Sequence, residues 1–251
     1  MELNITGIEK TFRSSGGDPA FLLSLPAMTF ETGSIIFVMG HNGSGKTVTL
    51  KLMAGEILPS NGNVRFSLGG SSWKADERPS GIVRQQAEDS LAMDLSVKEN
   101  LLLRGSPRSI LDHVFPSVRL KDQIIRLLST HPELLRKLEQ PCRNLSGGQR
   151  QALAFLSVTS RNYPVLFLDE FLAATDSGTS RLLRRLARDY ATQANACVFI
   201  VSHDVPMALE DADRILVLMN GKLIRDLGRD DPDWDESALM RLLMERGEES
   251  R

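Results

Sequence analysis

Long apolar segments are missing from this chain of 251 residues. Its longest apolar runs, such as Ile35–Met39 and Cys197–Val201, are far shorter than the roughly 18–20 residues that cross a bilayer. The first ten residues, MELNITGIEK, also lack a basic stretch followed by an apolar one, so we expect no signal peptide. Any association with a membrane is therefore expected to come through a partner protein.

Cysteine is scarce, and neither sign of charge is in large excess. Cys142 and Cys197 are the only cysteines and do not form a CxxC pair, which favours a reducing compartment and no catalytic thiol. The formal net charge is −2 and the isoelectric point is about 6.1. Because nucleic-acid-binding domains usually carry a basic excess, we expect no nucleic-acid partner.

The most informative stretch that is present is GHNGSGKT, at residues 40–47. It follows the apolar run at 34–39, which is typical of a strand buried on both faces, and it precedes a helical pattern that ends near Gly55. A strand, a glycine loop and a helix in this order predict a phosphate-binding loop. Lys46 would neutralise the β- and γ-phosphates, and the Thr47 hydroxyl would bind Mg²⁺. The loop residues expected around the phosphates are Gly40, His41, Asn42, Gly43, Ser44, Gly45, Lys46 and Thr47.

Two further apolar runs end in polar residues. VLFLDE ends in Asp169 and Glu170, and FIVSHD contains His203. At strand ends beside a phosphate loop, Asp169 is expected to bind Mg²⁺, Glu170 to polarise the attacking water, and His203 to reach the γ-phosphate.

The order of these patterns predicts an α/β fold. Strands are expected at 165–169, 197–202 and 214–219, with a helix at 177–192 between the first two, which implies a parallel sheet with helices on its faces. The first part of the chain has the short alternating runs of β structure. Residues 95–160 have helical spacing interrupted by prolines, which predicts a helical subdomain inserted into the core.

A second stretch with the character of a phosphate site is NLSGGQRQALAF, at residues 144–155, where two glycines precede a helical run. Together with the glycine loop, LFLDE and SH, in that order, it resembles the ATP-binding subunits of ABC transporters over nearly the whole chain. The resemblance implies one ABC ATPase domain over 1–251, with a P-loop NTPase fold and a RecA-like core. Residues 1–85 and 163–251 would form that core with an antiparallel β subdomain, and residues 86–162 the helical subdomain.

The resemblance also implies roles for residues outside the glycine loop. Gln85, with Gln86 as the alternative register, would sense Mg²⁺ and the attacking water, and Phe12 would stack on adenine. Asp176 is similar to the D-loop aspartate. In this family two subunits pack head to tail, so the signature residues of one would touch the γ-phosphate held by Lys46 of the other. The signature residues are Ser146, Gly147, Gly148 and Gln149.

Three positions depart from the family pattern. Phe171 follows Glu170 where the family usually has proline, AATD at 173–176 replaces the common Ser-Ala-Leu-Asp, and Val48 stands where a hydroxyl residue often occurs. These departures concern D-loop contacts and the α-phosphate, and they remove none of the proposed catalytic groups.

The function implied by the resemblance is ATP hydrolysis, with ATP and Mg²⁺ as cofactors, powering a transmembrane permease. The chain would lie at the cytoplasmic face of the cell membrane with a second ATPase subunit. The signature stretch favours an importer of a small molecule that works with a periplasmic substrate-binding protein. The alternatives are an exporter ATPase, a soluble ABC-type ATPase acting on DNA or ribosomes, and a regulatory subunit. One basic helical face, formed by Arg181, Arg184, Arg185 and Arg188, could bind nucleic acid but is interpreted as a solvated face.

Overall fold

The computed structural model describes residues 1–13, 19–77, 80–104, 128, 131–173 and 175–244. The chain divides into two compact units. The first comprises Met1–Ser80, Pro164–Glu170 and Ala187–Arg251, and the second comprises Gly81–Tyr163 and Phe171–Leu186. The second unit takes in residues 81–85, 163 and 171–186 in addition to the helical subdomain that we predicted at 86–162.

Strands and helices alternate along much of the chain. The strands are β1 (Glu2–Ile5), β2 (Ile8–Arg13), β3 (Pro19–Leu25), β4 (Met28–Glu31), β5 (Ile35–Met39), β6 (Arg65–Leu68), β7 (Ser71–Lys74), β8 (Gly81–Val83), β9 (Val165–Asp169), β10 (Cys197–Val201), β11 (Arg214–Met219) and β12 (Lys222–Gly228). The α-helices are α1 (Lys46–Met53), α2 (Val97–Arg104), α3 (Pro132–Arg136), α4 (Gly147–Thr159), α5 (Ser177–Ala194), α6 (Val205–Asp211) and α7 (Glu236–Met244). Short 3₁₀ helices lie at Ala87–Asp89 and Cys142–Asn144.

The main sheet of the first unit runs in the order β2, β3, β12, β11, β5, β10, β9. Strands β11, β5, β10 and β9 are parallel to one another. Every residue of β5 and β10 is buried, as expected for parallel strands covered on both faces. The carboxyl ends of β5 and β9 carry the predicted glycine loop and the two acids, so the sheet delivers both to one edge.

A smaller antiparallel sheet in the same unit has the order β4, β1, β6, β7. In β1 and β4 buried residues alternate with exposed ones, because successive side chains of a strand point to opposite faces. This sheet is the antiparallel β subdomain that the sequence predicted.

The second unit is mainly helical among the residues that the structure describes. Buried apolar side chains on α2, α3 and α4 form its core, and the rings of Phe155 and Phe171 stack with centroids 6.3 Å apart. The Asn100 amide donates to Leu95 O, Ser96 O and Cys142 Sγ, which ties α2 to the loops beside it. The helical pattern at 109–115, and that at 123–129 apart from the buried Leu128, lie outside the described residues.

The structure confirms the predicted α/β fold, and several elements match their predicted bounds closely. The strands β9 and β11 coincide with the predicted ranges, and α5 extends two residues further than expected. Strands β4 and β7 and helix α6 were not predicted. Arg188, placed on a solvated face by the sequence analysis, is ion-paired with Asp213 at 2.6 Å.

Candidate functional site

An open groove of about 510 Å³ lies in the first unit, beside the start of α1. Five elements contribute to it: β2, β3, the glycine loop after β5, the first turn of α1 and the end of β9. The residues that line it are Phe12, Phe21, Asn42, Gly43, Gly45, Lys46, Thr47, Val48 and Glu170. The groove therefore collects most of the glycine loop together with one of the two predicted acids.

The loop needs glycine at its two ends. Gly40 has φ +152°, and a Cβ there would lie 2.3 Å from Leu218 O and 2.5 Å from Ser44 Oγ. Gly45 has φ +102°, and its Cβ would lie 2.7 Å from Leu23 Cδ1. L-residues with a side chain rarely adopt these conformations, so the glycines are required by local geometry.

Lys46 is a buried cation held inside the loop. Its side chain is only 7% exposed, and Nζ donates to Gly40 O at 2.8 Å and to His41 O at 3.0 Å. Burial lowers the pKa of Lys46 from its ordinary value, while the charges of Glu170 and Asp169 act in the opposite direction. A buried ammonium group that donates to carbonyl dipoles is well suited to an anionic ligand.

The two acids at the end of β9 have different positions. Asp169 Oδ1 accepts a hydrogen bond of 3.3 Å from Thr47 Oγ1, so two of the residues predicted to interact with Mg²⁺ are adjacent. Glu170 lines the groove and has φ +44°, an uncommon conformation for a residue with a side chain. Its N–H donates to Val201 O at 3.1 Å, which fixes this turn against β10. Strained conformations of this kind cluster at functional sites.

The residues present fit the phosphates of a nucleotide. The Ser44 hydroxyl is buried and has no hydrogen-bond partner among the residues described, and its oxygen faces the position where Gly40 lacks a side chain. Helix α1 begins without a side-chain cap, which leaves its first N–H groups for a ligand.

The same residues fit Mg²⁺ that is shared with a nucleotide. In the described ranges no group of three or more His, Cys, Asp or Glu residues could hold a metal. Magnesium in nucleotide sites keeps several waters and takes one or two protein oxygens beside the phosphates. Thr47 Oγ1 and Asp169 Oδ1 supply such oxygens.

Two aromatic residues line the groove. Phe12 on β2 lies directly opposite Phe21 on β3, and their ring centroids are 6.2 Å apart. The ammonium of Lys10 lies 5.6 Å from the centroid of Phe12. Phe12, for which the resemblance implied a contact with adenine, thus lines the groove. The contribution of Phe21 was missed, because it depends on how β2 and β3 pair.

The signature residues begin α4 in the second unit. Ser146 is the N-cap, and its Oγ accepts from the Gln149 N–H at 3.3 Å, while Gln149 Oε1 accepts from the Ser146 N–H at 3.2 Å. This reciprocal pair is a capping box. Ser146 and Gly147 are exposed, so the start of α4 is accessible within this unit.

Asp176 organises the start of α5 in the second unit. Its carboxylate accepts from the N–H groups of Gly178 and Thr179 at 2.9 and 3.0 Å, and also from Thr179 Oγ1 at 2.7 Å. These hydrogen bonds, led by the one from the Thr179 N–H, hold the pKa of Asp176 below its usual value. Thr179 also packs closely against the signature residue Gly148, because a Cβ at that position would lie 2.6 Å from Thr179 Oγ1.

The other two predicted catalytic residues are exposed. His203 follows β10 and is exposed, and it is not part of the groove's described lining. Gln85 follows β8 in the second unit and is exposed, as is Gln86. Their roles remain predictions.

With this geometry established, comparison with known families is decisive. The sequence pattern of the family described as ABC transporter matches residues 23–173, which include the glycine loop, the signature and both acids. The chain belongs to the ABC transporter family. Within that family it is an ATP-binding ATPase subunit.

Two curated ABC relatives illustrate the similarity. A sulfate/thiosulfate import ATP-binding protein of Agrobacterium fabrum is 32% identical over 237 residues, which cover 94% of this chain and 65% of the relative. A tyrosine transport ATP-binding protein of Clostridioides difficile is 27% identical over 230 residues, which cover 90% of this chain and 91% of the relative. The chain thus spans about two thirds of the first relative and nearly all of the second.

A solved structure supports the ABC ATPase fold. The crystal structure of a nucleotide-free ATP-binding cassette from an ABC transporter superposes with a TM-score of 0.73 at 20% identity, and the match covers 97% of this chain and 95% of that one. Among the described residues, no helix is long and apolar enough to cross a membrane.

Proposed function

We propose that this ABC ATPase subunit hydrolyses ATP at sites shared between two copies of the chain, and that closure and opening of the pair power a membrane permease. The observation that carries the proposal is the groove of the first unit. There a buried lysine, a hydroxyl–carboxylate pair and a strained glutamate surround a glycine loop that begins a helix.

Each group in the groove has a chemical task that its position supports. Lys46 and the N–H groups at the start of α1 hold the phosphates, and Thr47 and Asp169 hold Mg²⁺. Bound Mg²⁺ would supply positive charge to the phosphate oxygens during transfer. Glu170, at the groove wall, accepts the proton of the attacking water. Phe12 and Phe21 contact the base.

The signature helix supplies the other half of the site. The exposed start of α4 presents Ser146, Gly147 and Gly148 to the γ-phosphate bound by a second copy of the chain. In the same closed pair, Gln85 and His203 complete the site around the γ-phosphate, and Asp176 contributes to the contact between the copies. Each chain thereby carries halves of two sites, which accounts for two phosphate-binding helix starts in one sequence.

The proposed setting is the cytoplasmic face of a cell membrane, where the chain is held by permease subunits. The name of the sulfate/thiosulfate relative specifies import, which supports an importer of a small molecule that works with a substrate-binding protein. Since the name of the tyrosine relative gives no direction, export is the second candidate. Co-purification of this chain from native membranes with a permease would support the setting. Recovery only with DNA or ribosomes would contradict it.

A mixed dimer tests the shared site. Lys46→Ala removes the cation that holds phosphate, and Ser146→Arg places a long side chain where phosphate would dock. Either homodimer has two damaged sites and is expected not to close with ATP. In the mixed dimer one site collects both defects and the other is intact, so ATP-induced crosslinking should survive at one interface.

The control is the wild-type pair, which must close under the same conditions. If each chain used its own signature, both sites of the mixed dimer would carry one defect. Failure of the purified mixed dimer to close, while the wild type closes, would therefore contradict the shared site.

A further inference from the structure

The signature helix is contacted by a charged pair that the sequence analysis did not single out. We infer that Glu133 and Lys137, at either end of α3, are positioning residues. Their opposite charges fix the orientation of the Gln149 amide, and this amide holds the backbone of Ser146 in the position from which it would contact phosphate. The inference rests on the proposed function, in which the start of α4 meets the nucleotide held by a second copy.

Three hydrogen bonds define this network within the second unit. Gln149 Oε1 accepts from Lys137 Nζ at 2.8 Å and from the Ser146 N–H at 3.2 Å. Gln149 Nε2 donates to Glu133 Oε2 at 2.8 Å. The bond from Lys137 is partly buried, whereas the bonds of Gln149 with Ser146 and Glu133 are exposed. The Lys137 bond is therefore the one least open to competition from water.

The charges leave the amide one favourable orientation. An amide has one end that accepts and one that donates, whereas an ammonium only donates and an ionised carboxylate only accepts. Turning the Gln149 amide over would set its amino group against Lys137 and its oxygen against Glu133. The Ser146 N–H would then face a donor, and the capping box could not close.

This arrangement changes the role of Gln149. Sequence analysis placed Gln149 among the nucleotide-binding residues, but the carbonyl end of its amide already accepts two hydrogen bonds and the amino end donates one. We therefore assign Gln149 an indirect role, in which it acts on the phosphate through Ser146.

The first test measures the network without nucleotide. Lys137→Met removes the donor to Gln149 and should speed hydrogen exchange at the Ser146 N–H about fivefold, the effect of losing a typical capping interaction. Lys137→Arg retains a donor and should restore slow exchange. Lys98→Met is the matched control, because Lys98 pairs with Glu139 at 2.9 Å in the same unit.

The second test measures the link to phosphate. With Lys137→Met, the ATP concentration that gives half-maximal closure should rise about fivefold. The closed fraction at saturating ATP should stay the same. The affinity for ADP should not change, because ADP lacks the γ-phosphate that the signature would contact. A general loss of structure would weaken ADP binding as well, so this split separates positioning from misfolding.

A carboxylate–amide exchange separates positioning from direct contact. Gln149→Glu sets a carboxylate against Glu133, and closure should weaken by more than in Lys137→Met. Adding Glu133→Gln removes this repulsion, while a carboxylate at position 149 still accepts from Lys137 and from the Ser146 N–H. The double variant should therefore regain most of the ATP response.

The outcomes that overturn the inference are distinct. Unchanged Ser146 exchange in Lys137→Met shows that the network does not hold the signature. Slow exchange without recovery of closure in the double variant shows that Gln149 contacts nucleotide directly. If the wild type itself does not close with ATP, the proposed function fails first and the inference falls with it. The exchange measurement needs no ATP, so it distinguishes a failure of the proposed function from a failure of the hydrogen-bond network.

Discussion

The two helix starts that carry the phosphate-binding patterns are built in opposite ways. The N-cap of helix α1 is Gly45, which has a left-handed backbone conformation and provides no side-chain cap. The N-cap of α4 is Ser146, which forms a complete capping box. The first start keeps its N–H groups for a ligand, while the second satisfies part of them internally. The difference fits the proposed function, in which α1 forms the primary phosphate site and α4 is a pre-ordered surface that binds phosphate already held elsewhere.

The charged groups near the two starts differ in the same sense. The side chain of Lys46 lies inside the glycine loop before α1, and its ammonium donates to two backbone carbonyl groups. The same ammonium can reorient and donate to a bound anion. Lys137, near the start of α4, donates a hydrogen bond to the Gln149 side chain. Lys46 is thus placed to bind an anion, whereas Lys137 is placed to position another side chain.

The largest effect should come from replacing Glu170, the acid in the groove beside the start of α1. Glu170→Gln removes the group that accepts the proton from water, and hydrolysis should fall on the order of 10²–10⁴-fold while ATP binding is kept. The variant should accumulate as a closed, ATP-bound pair, measured by gel filtration with ATP. Glu2→Gln, at an exposed position of β1 in the same unit, is the control. Near-normal turnover in the Glu170→Gln variant would sink the assignment of Glu170.

A second prediction concerns the buried lysine. Lys46→Met deletes the charged donor, and the affinity for ATP should fall on the order of 10- to 100-fold, the range for a hydrogen bond to a charged group. Lys51→Met, on the same helix but outside the groove lining, should bind ATP normally. Calorimetric titration distinguishes the two variants, and equal losses in both would contradict the role of Lys46.

The pH dependence of stability provides a check on the same lysine. Since burial lowers the pKa of Lys46, the folded chain loses this proton at a lower pH than the unfolded chain does. The Lys46 contribution to the free energy of unfolding should therefore rise with pH between the lowered pKa and the ordinary value of 10.5. Lys46→Met should lack this rise, measured by denaturant unfolding against pH. A rise of the same size in Lys46→Met would show that Lys46 is not its source.

Local patterns explain how much could be predicted from the sequence. Lys46 and Thr47 come after the apolar strand β5 and its glycine loop, and Asp169 and Glu170 lie at the end of the apolar run of β9. Because parallel strands bring their carboxyl ends to one edge, the sequence alone is enough to place these residues together. The capping signature at Ser146 is equally local, because its partner is three residues away.

What could not be predicted depends on contacts between distant segments. Phe21 enters the groove through the pairing of β2 with β3, and the support of Gln149 comes from Glu133 and Lys137 on a separate helix. Short helices such as α6 were missed because seven residues contain barely two turns of periodic pattern.

Glycine substitutions sharpen the comparison of the two helix starts on a smaller scale. Gly45→Ala strains a left-handed backbone and crowds Leu23, and should cost about 1–3 kcal/mol of unfolding free energy. Gly148→Ala should cost about 1–3 kcal/mol through its clash with Thr179, a cost that Thr179→Ala relieves. Gly147→Ala meets open space and should be neutral or slightly stabilising. Chemical denaturation measures all three, and a cost for Gly147→Ala as large as that for Gly45→Ala would contradict the view that only the start of α1 requires glycine at its first position.

The smallest effects should come from the two cysteines, one in each unit, which report how readily each unit opens. Burial raises the pKa of Cys142 to about 11 and that of Cys197 to about 12, so both thiols are protonated at pH 8. Cys142 starts a 3₁₀ turn, while Cys197 starts a strand paired on both sides by β5 and β9. Since turns open more easily than central strands, Cys142 should be labelled by a thiol reagent several times faster than Cys197 in the native chain, on the scale of local opening free energies. Cys197→Ala and Cys142→Ala isolate each thiol, and urea should make both react at once. Faster labelling of Cys197 would mean that the unit with the α1 site opens more readily than the unit that carries α4, which is the reverse of the order expected from the pairing of β10 on both sides.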